Sequence, residues 1–75
     1  MLQMNAEVEC YAGTRYAERP VAVTLGGQRL SVIEVLSSWR TPAGPGFDVL
    51  VTGDRRLRLQ LDEASDRWAV TELSR

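Results

Sequence analysis

PVAVTLGGQRLSVIEVLSSWR, residues 20–40, decides the fold of this chain. Val21, Val23 and Leu25 alternate with Ala22 and Thr24, a period of two that sets three apolar side chains on one face of a strand. Gly26-Gly27 supplies two residues that accept positive φ, as a tight two-residue hairpin turn requires. The return strand begins with polar and apolar residues alternating, from Gln28 to Val32. At Val32-Ile33 the phase slips. Ile33 and Val35 continue on what had been the polar face, and Leu36 restores the first parity. A slip inside one branched run marks a bulge or a barrel corner, where a strand leaves one sheet and joins another. Residues 32–36 also fit one amphipathic helical turn, but β-branched side chains dominate them and no cap precedes them. The pattern therefore predicts a bent strand.

Toward the N-terminus, residues 6–12 alternate as well: Val8 and Cys10 point one way, Glu7, Glu9 and Tyr11 the other. Cys10 reads as a small buried side chain. The two glutamates are placed to pair with arginines on a neighbouring strand. Residues 13–19 read as a polar connection, and Pro20 suits the opening of an edge strand. Residues 1–5 carry little pattern and are expected to form a flexible tail.

Toward the C-terminus, residues 41–46 (TPAGPG) hold two prolines and two glycines, which predicts a loop without an ordered hydrogen-bonding pattern. Phe47, Val49 and Val51 then mark a fourth strand, and Gly53-Asp54 reads as a two-residue turn of type II′. Residues 55–61 (RRLRLQL) alternate most strictly, with Leu57, Leu59 and Leu61 inward and Arg56, Arg58 and Gln60 toward water. An acidic turn, residues 62–66, leads to a last strand over 67–73, where Trp68 and Val70 share a face with Glu72.

The expected fold is all-β: one domain spanning residues 1–75, a small antiparallel six-strand meander curled into a partly open SH3-like barrel. A flat sheet of this size would leave an apolar face wet and two edges bare. A strongly twisted sheet covered by a second chain is the alternative.

Composition narrows the chemistry. One cysteine and no histidine exclude an internal disulfide and a Cys/His zinc site. Without histidine or lysine, general-base, Schiff-base and triad chemistries lose their commonest participants. Asp62, Glu63 and Asp66 cluster, but lack the glycine and later glutamate of a calcium loop. No catalytic residue, cofactor or metal site is expected. The formal net charge of −1 argues against a broadly basic, phosphate-tracking surface. No apolar run approaches the ~20 residues that cross a membrane, and the N-terminus lacks the basic and apolar regions of a signal peptide, so the cytoplasm is the expected compartment.

Two surfaces qualify as binding sites. Trp39, Arg40, Pro42, Pro45 and Trp68 are the candidates for partner binding, the tryptophans serving as aromatic platforms beside arginines. The competing reading has both indoles closing the barrel ends, their N–H groups bonded to loop carbonyls. Arg55, Arg56 and Arg58 are the candidates for nucleic-acid binding. Against that stands a solvated face paired with Glu7 and Glu9 that discourages edge-to-edge aggregation. The first functional expectation is a non-enzymatic module that binds a protein partner or itself. The second is a nucleic-acid accessory domain, and a small-molecule enzyme is a distant third.

Arg19, Pro20, Gly27, Val32, Val35, Leu36, Trp39, Arg40, Arg67 and Trp68 together form a pattern that resembles small bacterial all-β domains of unknown function. Some members of that family look associated with translesion DNA polymerases, so the resemblance implies a DNA-repair accessory role. It covers residues 19–73 and brings no catalytic residues with it. Two departures weaken the nucleic-acid expectation: Gln28 stands where a basic residue follows the glycines, and Val23 stands in place of an aromatic residue.

Overall fold

The computed structural model of the chain describes residues 6–11 and 19–73. The tail expected at 1–5 and most of the connection expected at 13–19 lie outside these residues. Six strands follow one another: β1 (Ala6–Tyr11), β2 (Arg19–Leu25), β3 (Gln28–Thr41), β4 (Gly44–Val51), β5 (Arg55–Asp62) and β6 (Arg67–Leu73). Each pairs antiparallel with the next, so the sheet order is the chain order. The meander curls into the partly open SH3-like barrel that the alternation predicts. Among the described residues β1 pairs with β2 alone and β6 with β5 alone, and the two end strands lie alongside each other without a ladder.

The curl is made in β3, a strand of 14 residues. Its first part pairs with β2 through Ala22↔Ser31, and from Val32 onward it pairs with β4 instead. The predicted slip is there, but it is double: the register shifts between Val32 and Glu34 and again between Val35 and Ser37. Ile33 and Leu36 are the extra residues of two β-bulges, which sharpen the local twist and turn the strand from one half of the barrel into the other. No helix interrupts residues 31–38. Thr52 fixes the corner from outside: its N–H and hydroxyl donate to the Ser31 carbonyl at 3.0 and 3.3 Å, and its Oγ1 accepts the Ser31 N–H at 3.2 Å.

Inside the curl lie Val23, Leu25, Leu30, Phe47, Val49, Val51, Leu57, Leu59 and Val70, with Val8, Val32, Val35 and Trp68 packed against them. Full burial of a leucine or valine side chain contributes about 1.5–3 kcal/mol, and Leu57, Leu59, Val49 and Val51 are wholly buried. Among the described residues no buried side-chain polar atom lacks a partner.

Three local expectations are corrected. Val21 does not join Val23 and Leu25 in the core: it is 43% exposed. Glu9 pairs with Ala22 and the next residue, Cys10, with Pro20, so Val21 is itself a bulge residue and the alternation breaks before it. Residues 41–46 are not an open loop, because β3 runs to Thr41 and β4 starts at Gly44, leaving only Pro42-Ala43 as the turn. Thr41 Oγ1 orders that turn by accepting the Ala43 and Gly44 N–H groups at 3.1 and 3.2 Å. Gly53-Asp54 is not a two-residue II′ turn either. Val51 pairs with Arg55, so residues 52–54 connect the strands, and φ is positive at both Gly53 (88°) and Asp54 (61°). Gly26-Gly27, with φ of 54° and 83°, is the predicted turn.

Candidate functional site

Register determines which side chains meet on the face away from the core. Trp39 opposes Gly46, and Gly46 opposes Gln60. Cross-strand partners share a face, so Trp39, Gly46 and Gln60 form one row, on the side opposite Phe47 and Leu59. The half-buried indole lies across Gly46, and a Cβ added there would collide with the indole Cε2 and Nε1. Trp39 Nε1–H donates to Gln60 Oε1 at 3.3 Å. The Gln60 amide nitrogen donates in turn, its two hydrogens shared among Thr41 Oγ1 (3.2 Å) and the carbonyls of Gly44 (3.0 Å), Pro45 (3.1 Å) and Leu61 (3.1 Å). Gly44 is bare for the same reason, since a Cβ would approach the Leu61 carbonyl to 2.7 Å. The glycines of this stretch leave room for a brace that ties the β3–β4 hairpin to β5.

The next row on that face is Ser37–Asp48–Arg58. Arg58 grips Asp48 with two bonds, Nε to Oδ1 at 2.9 Å and one terminal nitrogen to Oδ2 at 3.1 Å, while its Cζ stands 5.3 Å from the centroid of the Trp39 indole. The bond from Arg58 holds the Asp48 carboxyl below its ordinary pKa against the opposing effect of burial, with Ser37 adding to the lowering. Arg29 and Arg55 likewise hold Glu9 and Glu72 below the usual carboxylate range by direct hydrogen bonds. Each of these carboxylates is fixed as an anion by its arginine, an arrangement that ties strands together instead of storing a proton for transfer.

These placements redistribute the candidates. Trp39 is part of the brace, not a cap on a barrel end, and its N–H goes to a side-chain amide instead of a loop carbonyl. Arg40 reaches Glu63 in the acidic turn at 3.2 Å, and the Glu63 N–H donates to the Ala43 carbonyl at 2.8 Å. Pro42 is exposed at the turn, and Pro45 is half-buried in β4. Trp68 sits apart from this group on the inner face, its ring 6.3 Å from that of Phe47. The arginine patch is divided. Arg55 bonds Glu72 at 2.8 and 2.9 Å and Arg58 bonds Asp48, while Arg56, exposed, makes no ion pair among the described residues. The partners expected for Arg56 and Arg58, Glu7 and Glu9, are not the ones found. Glu9 instead takes both bonds from Arg29 at 3.0 and 3.1 Å, across the intervening strand β2.

Alternation predicts Gln60 toward water, where the structure half-buries it, and no sequence pattern singles out Asp48 or Ser37. The strict alternation of residues 55–61 put Gln60 on the correct face. Its neighbour there, Trp39, is 21 residues away, and only the register brings them together.

One further surface stands out. Val21, Ile33 and Leu36 are the exposed large apolar side chains among the described residues, at 43%, 62% and 43%, and all three are bulge residues. The β2–β3 ladder ends at Ala22↔Ser31, one residue from Val21 and two from Ile33. From Val32 on, β3 has β4 on one side and, among the described residues, no strand on the other. Arg19 and Glu34 flank this corner, both exposed and neither in an ion pair among the described residues. Among the described residues no group of three or more acidic or cysteine side chains is arranged to hold a metal ion, and no helix is long and apolar enough to cross a membrane. The fold and its surfaces define a small β half-barrel domain with a braced hairpin and an apolar corner. Compared with family models, curated proteins and solved structures, the chain has no match.

Proposed function

We propose that this chain is a non-catalytic interaction module that associates with a second copy of itself through the β2–β3 corner. The observation that carries this reading is the coincidence of exposure and bulge: Val21, Ile33 and Leu36 are each exposed at a register shift, on the segments of β2 and β3 that lie beyond the end of their ladder. Bulges re-aim side chains, and apolar side chains re-aimed together toward water favour burial against a partner. A second copy suits the patch because it carries one cation and one anion beside its apolar centre. Arg19 and Glu34 give a self-complementary interface the opposite charges it requires. The bulges also make the free edge of β3 irregular, which favours side-chain docking over edge-to-edge strand addition.

Sedimentation velocity over a concentration series tests the reading. The 8.4 kDa chain is expected to move from monomer to dimer as concentration rises, and the double variant Ile33→Glu, Leu36→Glu to remain monomeric with unchanged circular dichroism. A wild-type chain that stays monomeric throughout, or a double variant that dimerises equally well, overturns it.

A further inference from the structure

The seam between the two end strands carries a second surface, lined by residues other than Val21, Ile33 and Leu36. An open groove of about 1010 Å³ runs between β1 and β6 and the acidic turn before β6. Ligand sites are commonly ~300–1,000 Å³, so the groove has room for several residues of an extended chain. Val8 and Trp68, both half-buried and packed on the core, contribute its apolar side. Around them stand four carboxylates, Glu7, Glu9, Asp62 and Asp66, against one guanidinium, Arg67. Arg29 neutralises Glu9, whereas Glu7, Asp62 and Asp66 make no ion pair among the described residues. Both flanking strands face the groove with an edge that no ladder occupies among the described residues.

We infer that this groove binds an extended basic peptide segment of another protein, laid between its acidic rim and its apolar wall. Its lysine or arginine side chains would lie toward Glu7, Asp62 and Asp66, and an apolar residue against Trp68. Each part of the groove matches one part of such a ligand. Side chains at alternate positions of an extended chain give specificity. Period-two alternation in the peptide sends its cations to one face and its apolar residues to the other. An acidic rim over a partly apolar wall favours that pattern and repels its acidic counterpart. The inference does not depend on dimerisation, since the residues involved are not those of the β2–β3 corner.

A fluorescein-labelled, end-capped peptide of alternating lysine and valine is the probe, with the glutamate–valine peptide of equal length as its control. Anisotropy reads binding, and emission of the Trp39→Phe variant, whose remaining tryptophan is Trp68, reports occupation of the groove. The lysine peptide is expected to bind, to shift Trp68 emission, and to weaken as salt rises. Asp62→Asn with Asp66→Asn is expected to reduce affinity about tenfold, the loss of two charge contacts of ~0.7 kcal/mol each. Asparagine retains the acceptor through which Asp62 Oδ1 takes the Ala64 N–H at 3.1 Å, and it tolerates the positive φ of 59° at Asp66, so the turn survives the change. The inference is overturned if the two peptides bind equally, if the asparagine variant binds as well as wild type, or if Trp68 emission does not respond.

Discussion

Gly46→Ala is the sharpest probe of the brace on the outer face. A methyl group at this position meets the Trp39 indole ring and approaches Gln60 Oε1 at 2.7 Å. The Gln60 oxygen ends a flexible side chain, but the indole is rigid and must lift. Overpacking of this kind costs about 1–3 kcal/mol. Lifting the indole also weakens its bond to Gln60, worth ~0.5–1.5 kcal/mol, and its contact with Arg58, worth ~0.5–1 kcal/mol at an exposed site. The three overlap, because one movement relieves the first by giving up the others, so the expected loss is about 2–3 kcal/mol. At ~4–8 °C per kcal/mol for a domain of this size, Tm should fall by about 10–20 °C. Urea unfolding followed by far-UV circular dichroism measures the loss, and a double-mutant cycle with Trp39→Ala assigns it. Without the indole the methyl group has space, and glycine in a strand is intrinsically ~0.5–1 kcal/mol worse than alanine. In that background Gly46→Ala should be neutral or stabilising. An equal cost in both backgrounds would refute the brace.

Other outcomes follow from the same geometry. Leu59→Ala, at a wholly buried position, should cost about 2–5 kcal/mol, whereas Leu36→Ala should stay within about ±0.5 kcal/mol in dilute, monomeric protein; urea midpoints at one protein concentration compare them. Glu9, Asp48 and Glu72 have folded-state pKa values lowered by arginine partners. Their contribution to stability is therefore complete above the unfolded values of about 3.9–4.3 and disappears as pH falls through the lower folded values. The urea midpoint should drop in that acid range, and Asp48→Asn should flatten the drop. Gly27→Ala places a side chain at φ 83° and should cost about 1–2 kcal/mol, with Gly27→Asn milder in the same assay. Single-stranded DNA should leave tryptophan emission unchanged, because Arg58, the cation beside Trp39, is bonded to Asp48; quenching that fades with salt would show the arginine face to be available to phosphate.

Much of the architecture was legible because alternation survives in Val23, Leu25, Leu30, Val49, Leu57 and Leu59, all of them buried. The bend in β3 was legible from the broken phase at Ile33. That there are two bulges was not. Extra residues at 33 and 36 make Leu36 appear to restore the first parity, when it is itself the second extra residue. Val21 misled for the opposite reason: nothing in residues 20–25 signals a bulge whose cause lies in pairing with β1. The glycines at 44 and 46 read as chain breakers because sequence spacing carries no information about what crosses them. Their smallness answers to Trp39, Gln60 and the Leu61 carbonyl, which only the β3–β4–β5 register brings there. Ion pairing was foreseen in kind but not in partner, since Arg29 reaches Glu9 across a whole strand.

The corner in β3 governs both the curl of the sheet and the outward turn of Ile33 and Leu36, and cross-strand nuclear Overhauser contacts read it directly. The pairs Ala22–Ser31, Val32–Val51, Glu34–Leu50, Val35–Val49 and Ser37–Asp48 should appear, with Ile33 and Leu36 skipped. An unbroken ladder that gives Ile33 and Leu36 partners of their own on β4 would contradict the account.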